Sequence, residues 1–313
     1  MKTFLPTANL CHFLANSRQD RVTCALNCSP KGIVMSACEW DRIFHPTDFT
    51  QGDEGALVHA LKLAVLCKAE LDLMHTGPDG EDVSWGEFPR IRRMLEEWGE
   101  VPAGVSHKDM RDRLGLDVKK IRKSAANVVK SIIDQINENQ PDLVVLSTHQ
   151  RKGVDRWMNP AVAEPVARAA GGLTLFVPRR VVGFVSRETG AVTLKNILIP
   201  IDHTPNPQIA LEAAMELARA AKANYVHFTL LHVGAEADMP AFPVPEVAGW
   251  YFERKAWAGN VVEHILDVAE EQNADLIVMS TGGRHGFLDA VRGSTTERIL
   301  RAARCPLLAA YAR

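Results

Sequence analysis

The chain contains the same stretch twice. RIFHPTDFT, from Arg42 to Thr50, aligns without a gap with NILIPIDHT, from Asn196 to Thr204, placing Pro46 on Pro200, Asp48 on Asp202 and Thr50 on Thr204. The register continues through Ala56 and Ala210, Leu57 and Leu211, Ala60 and Ala214, Leu63 and Leu217. It is regained in DLVVLST, Asp142 to Thr148, and DLIVMST, Asp275 to Thr281. A repeat of this kind means one structural unit built twice. Apolar positions three and four residues apart predict an amphipathic helix after the first strand of each copy. The LVVL and LIVM runs do not alternate with polar residues, as expected of strands covered on both faces.

Each copy then reads strand, helix, strand, helix, strand, helix, strand. A short strand precedes the late helix: LDVKKI near Ile121 and YFERKA near Glu253. Asn127-Val128-Val129 matches Asn260-Val261-Val262, and both are placed inside that helix. The last strands are TLFV, Thr174 to Val177, and LLAAY, Leu307 to Tyr311. Such alternation predicts an α/β protein, two doubly wound domains with mostly parallel sheets flanked by helices. The expected boundaries are an N-terminal extension over 1–38, a first domain over 39–180, a linker over 181–194 and a second domain over 195–313. The linker's Glu-Thr-Gly centre suggests a hairpin. Residues 1–34 read as a flexible extension, or as the product of an upstream start codon. The first copy carries a helical insertion, Glu87 to Trp98, where the second has a Pro-rich loop, Met239 to Val247.

A net charge of -2 gives no electrostatic argument for nucleic acid. No apolar run reaches the roughly 18 residues that span a bilayer, so no membrane partner is expected. The six cysteines lack the spacing of a metal cluster. Paired disulfides are not expected either, because nothing marks the chain as secreted, and the cytoplasm is the expected compartment.

ILIPID after the linker, DLIVMSTGG leading to GSTTERIL, and CPLLAAY at the end together resemble the universal stress protein family in its tandem two-domain form, over residues 40 to 313. The resemblance implies a five-stranded sheet in each domain and pairing of TLFV with LLAAY, which makes the chain an internal pseudo-dimer. It leaves open whether two chains pair further as a homodimer. Some members bind ATP or AMP and others do not. Binders usually carry two glycines three apart, then nine residues, then Gly-Ser or Gly-Thr; here Gly283 and Gly286 are followed after six residues, Phe287 to Arg292, by Gly293-Ser294.

These glycines follow a strand end, in the crevice where an open α/β sheet takes its ligand. Glycine lets backbone N–H groups approach a phosphate, and the start of a helix at Ser294 and Thr295 favours an anion. By resemblance, Asp202 would contact ribose or adenine and Val233 would wall the base. The serine also fits a capping box, Ser294-Thr295-Thr296-Glu297, so the loop alone does not separate a phosphate cradle from a capped turn. The first copy places Gln150 at Gly283, Pro160 at Gly293 and Ala161 at Ser294, and only Gly153 matches, at Gly286. Proline has no N–H to offer and alanine no hydroxyl. Asn159-Pro160 is still a good helix start. The first copy is therefore expected to keep the fold without the ligand.

The sequence carries no GxxxxGK[ST] or GxSxG motif and no catalytic constellation. The expected protein is a stress-response protein of universal stress type. Its second domain is the candidate site for ATP or AMP, with magnesium, and hydrolysis is at most slow. The alternative is a scaffold that binds no nucleotide and acts through protein partners. A metal-dependent enzyme using His75 or His232 is a third reading.

Overall fold

The computed structural model describes residues 38, 40–77, 84–148, 160–281 and 295–311, without the side chains of 160–164. In chain order the described strands are β1 (Arg42–Pro46), β2 (Glu70–Gly77), β3 (Asp117–Ser124), β4 (Leu143–Thr148), β5 (Leu173–Pro178), β6 (Asn196–Ile201), β7 (Val226–Val233), β8 (Trp250–Trp257), β9 (Leu276–Thr281) and β10 (Leu307–Tyr311). They form one ten-stranded sheet in the order β3-β2-β1-β4-β5-β10-β9-β6-β7-β8. All neighbours are parallel except the central pair, β5 and β10, which run antiparallel with Leu307 opposite Phe176 and Ala310 opposite Leu173. The strands expected at LDVKKI and YFERKA are β3 and β8, and they form the two outer edges.

The described helices are α1 (Glu54–Cys67), α2 (Ile91–Glu97), α3 (His107–Leu114), α4 (Val128–Asn139), α5 (Pro160–Ala170), α6 (Pro207–Ala220), α7 (Val261–Glu271) and α8 (Thr295–Ala302). Successive strand side chains point to opposite faces. Ile43, Leu143, Leu175 and Leu308 enter one apolar cluster with α1 and α6. Phe44, Val144, Phe176 and Leu307 enter the other, with α4, α5, α7 and α8. Each cluster includes residues of both repeats, so the halves share their core on both faces of the sheet. Trp40, just before β1, ties the halves further by donating its indole N–H to Glu216 on α6.

The repeat extends to polar details. Asp142 Oδ2 accepts from the backbone N–H of Asp41 and Arg42 at 2.9 and 3.0 Å, and Asp275 Oδ2 does the same for Lys195 and Asn196 at 2.8 and 2.9 Å. Each carboxylate clasps the start of one strand to the start of its neighbour. Asn127 and Asn260 do not lie inside their helices, as expected from the sequence. They cap them: Asn127 Oδ1 accepts from Lys130 N at 3.0 Å, and Asn260 Oδ1 from Val262 N at 3.1 Å. A short polar side chain competes for backbone N–H groups, which disfavours it in a helix interior and favours it at the cap.

The expectation of no disulfide is overturned. Cys38 and Cys67 are bonded, with Cα atoms 5.1 Å apart. Helix α1 returns to the N-terminal end of β1, so its last residue meets the segment leading into the strand, a proximity that a sequence separation of 29 conceals. The pairing bears on the expected compartment, because disulfides persist under oxidising conditions and are rare in the cytoplasm.

Between the repeats, Val185 and Val192 make a single antiparallel bridge. The segment is held by a buried histidine. His59 on α1 accepts from Phe184 N through Nε2 at 3.0 Å, which leaves Nδ1 as the protonated nitrogen, donating to Gly55 O at 2.6 Å. Gly183, at φ 74°, makes the approach possible; a Cβ there would lie 2.3 Å from the ring. Burial pushes the His59 pKa down from 6.5 to about 4.

Two predictions follow from these contacts. Reducing the Cys38–Cys67 bond, or replacing Cys38→Ser, frees a closed loop and is expected to lower unfolding stability by up to about 3–4 kcal/mol in urea titrations. Because His59 takes a proton more readily unfolded than folded, its contribution is complete above pH 6.5 and is lost as pH falls from 6.5 toward about 4. The loss amounts to about 3 kcal/mol. Stability measured against pH should therefore fall less steeply over this window in His59→Gln.

Candidate functional site

The strand order reverses between β1 and β4 in the first half, and between β6 and β9 in the second. Ligands of open α/β sheets bind at such points, beyond the C-terminal strand ends. Here the strands part early. β1 and β4 share two registered pairs, Ile43 with Leu143 and Phe44 with Val144; β6 and β9 share Ile197 with Leu276 and Leu198 with Ile277. The prolines contribute. Thr47 N donates to Met74 O on β2, so the preceding position, Pro46, faces β4 without an N–H to give. Pro200 stands at the equivalent place in β6.

In the second crevice the described strand-end carboxylate stands in solvent. Asp202, immediately after β6, is exposed; its Oδ1 accepts from His203 N at 2.7 Å. Val233 ends the adjacent β7 and is half-buried. His232 Nδ1 lies 3.3 Å from Ile201 O, linking the two strand ends. Thr295 is the first residue of α8, which follows β9, and it is half-buried, with Thr296 buried behind it. Asp202 and Val233 thus lie at neighbouring strand ends, and Thr295 opens the helix that leads away from the next strand. Gly283, Gly286, Gly293 and Ser294 lie outside the described residues, as does the corresponding first-half segment up to Asn159. Helix α5 does open at Pro160, the position the sequence assigns.

The first crevice is filled by its own side chains. Asp48, the counterpart of Asp202, pairs with Arg179 just beyond β5, and its Oδ1 accepts from Thr50 N at 3.0 Å and Thr50 Oγ1 at 2.6 Å. Gly52 leaves room for that arginine, since a Cβ would lie 2.5 Å from its Cδ. Phe49 stacks on His75 with centroids 4.2 Å apart and meets Phe88 edge-on at 4.9 Å. His75 Nδ1 lies 2.8 Å from Thr47 O, mirroring His232. Both histidines are therefore strand-end residues. Among the described residues, no group of three or more His, Cys, Asp or Glu is placed to hold a metal. Cys305 is buried and its thiol is pushed up to about 12 by that burial, which removes it as a nucleophile.

Beneath the first crevice is a polar cluster that the sequence analysis missed. His45 Nδ1 lies 2.9 Å from Val145 O, and Nε2 lies 3.2 Å from Asp53 Oδ2; neither side chain reaches solvent. Burial opposes charge on both, but their mutual attraction outweighs it, raising the His45 pKa and lowering that of Asp53. Thr47 and Ser147, both buried, also favour the charged form of the carboxylate. The second repeat has Ile199 and Pro207 at the positions of His45 and Asp53. That mismatch between otherwise aligned copies was the available signal.

The model of the universal stress protein family matches residues 39–178 and 246–310. The chain belongs to the universal stress protein family. Its two matched regions fit the tandem form. Universal stress protein A homolog 1 of Coxiella burnetii is 30% identical over 148 residues, covering 37% of this chain and 96% of its own length. Universal stress protein Sll1654 of Synechocystis is 27% identical over 148 residues, 42% of this chain and 93% of its own. A universal stress protein from Archaeoglobus fulgidus superposes with a TM-score of 0.55 at 17% identity, covering 87% of this chain and 99% of that one. No described helix is long and apolar enough to cross a membrane.

The buried pair yields a double-mutant cycle. His45→Ile alone strands the Asp53 charge in the interior and is expected to cost about 3 kcal/mol or more. The double variant His45→Ile/Asp53→Ala removes both charges and should recover at least half of that loss in denaturant titrations.

Proposed function

We propose that this universal stress protein binds one adenine nucleotide per chain, ATP or AMP, in the crevice between β6 and β9. The first-half crevice binds none. The observation that carries the reading is the contrast between the two aligned carboxylates. Asp48 is committed to Arg179 and Thr50, whereas Asp202 stands exposed. At the position of Arg179 the second repeat has Ala312. Asp202 would contact ribose or adenine, and Val233 would wall the base. Backbone N–H groups of Gly283, Gly286 and Gly293, with Ser294 and Thr295 at the start of α8, would receive the phosphates. ATP would bring magnesium on its phosphates. No described group is positioned as a general base for an attacking water, so binding rather than turnover is the proposed activity. Stress-response partners would then read the occupied state.

Calorimetry of the full chain with ATP and AMP, with and without magnesium, tests this. One site per chain is expected. Asp202→Ala should weaken binding about tenfold or more, the worth of a hydrogen bond to a charged group. Gly293→Pro, which imports the first-half residue, should weaken it as well. Two sites per chain, or affinity indifferent to both substitutions, would overturn the assignment. No binding at all would leave the scaffold that acts through protein partners.

A further inference from the structure

We propose that the first half carries a second ligand site, a cavity at the β3 edge of the sheet that accepts a small anion with an apolar body. The cavity holds about 750 Å³ and lies between α2, α3 and β3, within the range of about 300–1,000 Å³ found for small-molecule sites. Its lining combines an apolar surface with cations. Ile91, Met110 and Leu116 are buried there, and Val118 is half-buried beside them. Five basic side chains border the opening, Arg90, Arg92, Arg93, Arg111 and Lys120, against two carboxylates, Glu96 and Asp117.

Both carboxylates are already engaged. Arg92 lies 3.8 Å from Glu96, and Arg111 lies 2.5 Å from Asp117. Arg93 pairs outward with Glu97 at 2.8 Å. Arg90 and Lys120 are left without a carboxylate partner among the described residues. Lys120 instead sits over the Phe88 ring, 5.5 Å from its centroid, where burial lowers its pKa. An anion at the mouth would pair with these two cations while its apolar part covers the floor. Carboxylates, organic phosphates and sulfonates share that chemistry.

The surroundings point the same way. The cavity is built by the segment inserted in the first repeat, Glu87 to Trp98, which the second replaces with the loop from Met239 to Val247. The shared fold is therefore complete without it. Lysine on an edge strand also discourages pairing with other chains. That role suits Lys119 and Lys123 but does not account for an apolar hollow beneath Lys120.

The test is a fluorescence titration of the full chain with 1-anilinonaphthalene-8-sulfonate, an aromatic sulfonate of suitable size. One probe per chain is expected to bind, with affinity falling about tenfold in Arg90→Ala/Lys120→Ala and falling further with added salt. Both substitutions are on the surface, and an unchanged melting temperature would confirm an intact fold. Inorganic pyrophosphate should compete at least tenfold more weakly than the probe binds, because it has no apolar part. The proposal fails if the probe does not bind, if the double variant binds it unchanged, if pyrophosphate matches it, or if ATP displaces it, which would put it in the other crevice.

Discussion

Between β5 and β10 the backbone ladder runs antiparallel, and the rest of the molecule is arranged around that seam. Each repeat ends in a strand whose outer side would otherwise present unpaired N–H and C=O groups, an invitation to association. Joining the two ends removes both edges at once. Side chains continue across it: Leu308 lies opposite Leu175 on one face and Leu307 opposite Phe176 on the other. The apolar layers therefore pass from one half to the other without a break. The Trp40 bond to Glu216 adds a polar tie between the halves.

Around this common frame the halves differ in what fills their crevices. Backbone features are the same in both: a proline near the end of the first strand, a carboxylate clasp at its start, and an early parting from the neighbouring strand. The side chains differ. In the first half the space is taken by the Asp48–Arg179 pair and the Phe49 stack, above a buried His45–Asp53 pair. Such a buried pair is costly to desolvate and tolerable only while both members are present. The second repeat dispenses with it, using Ile199 and Pro207. Strand geometry is thus preserved by backbone chemistry, while ligand chemistry can drift by side-chain substitution.

The repeat made most of the architecture legible in the sequence, since any element seen in one copy could be checked against the other. Even the polar edge strands β3 and β8 could be placed, because LDVKKI and YFERKA precede matching helices. What escaped was set by proximity in space. Nothing local to Cys38 or Cys67 announces that α1 folds back to bring them together. Asn127 read as a helix residue because apolar periodicity does not register where a side chain turns back to the backbone. The Asp48 partner, Arg179, lies 131 residues away, so sequence alignment could mark Asp48 as equivalent to Asp202 but not show that it was already occupied. Of the candidate residues, Asp202, Val233 and Thr295 fall at the C-terminal ends of β6 and β7 and at the start of α8, as their motifs imply.

The direction of the central ladder has one more consequence. Strands within a half share a heading, and the two halves are opposed, so the mouths of their crevices open toward opposite borders of the sheet. A molecule arriving at Asp202 approaches from the border away from Asp48. No single guest of nucleotide size can straddle both mouths.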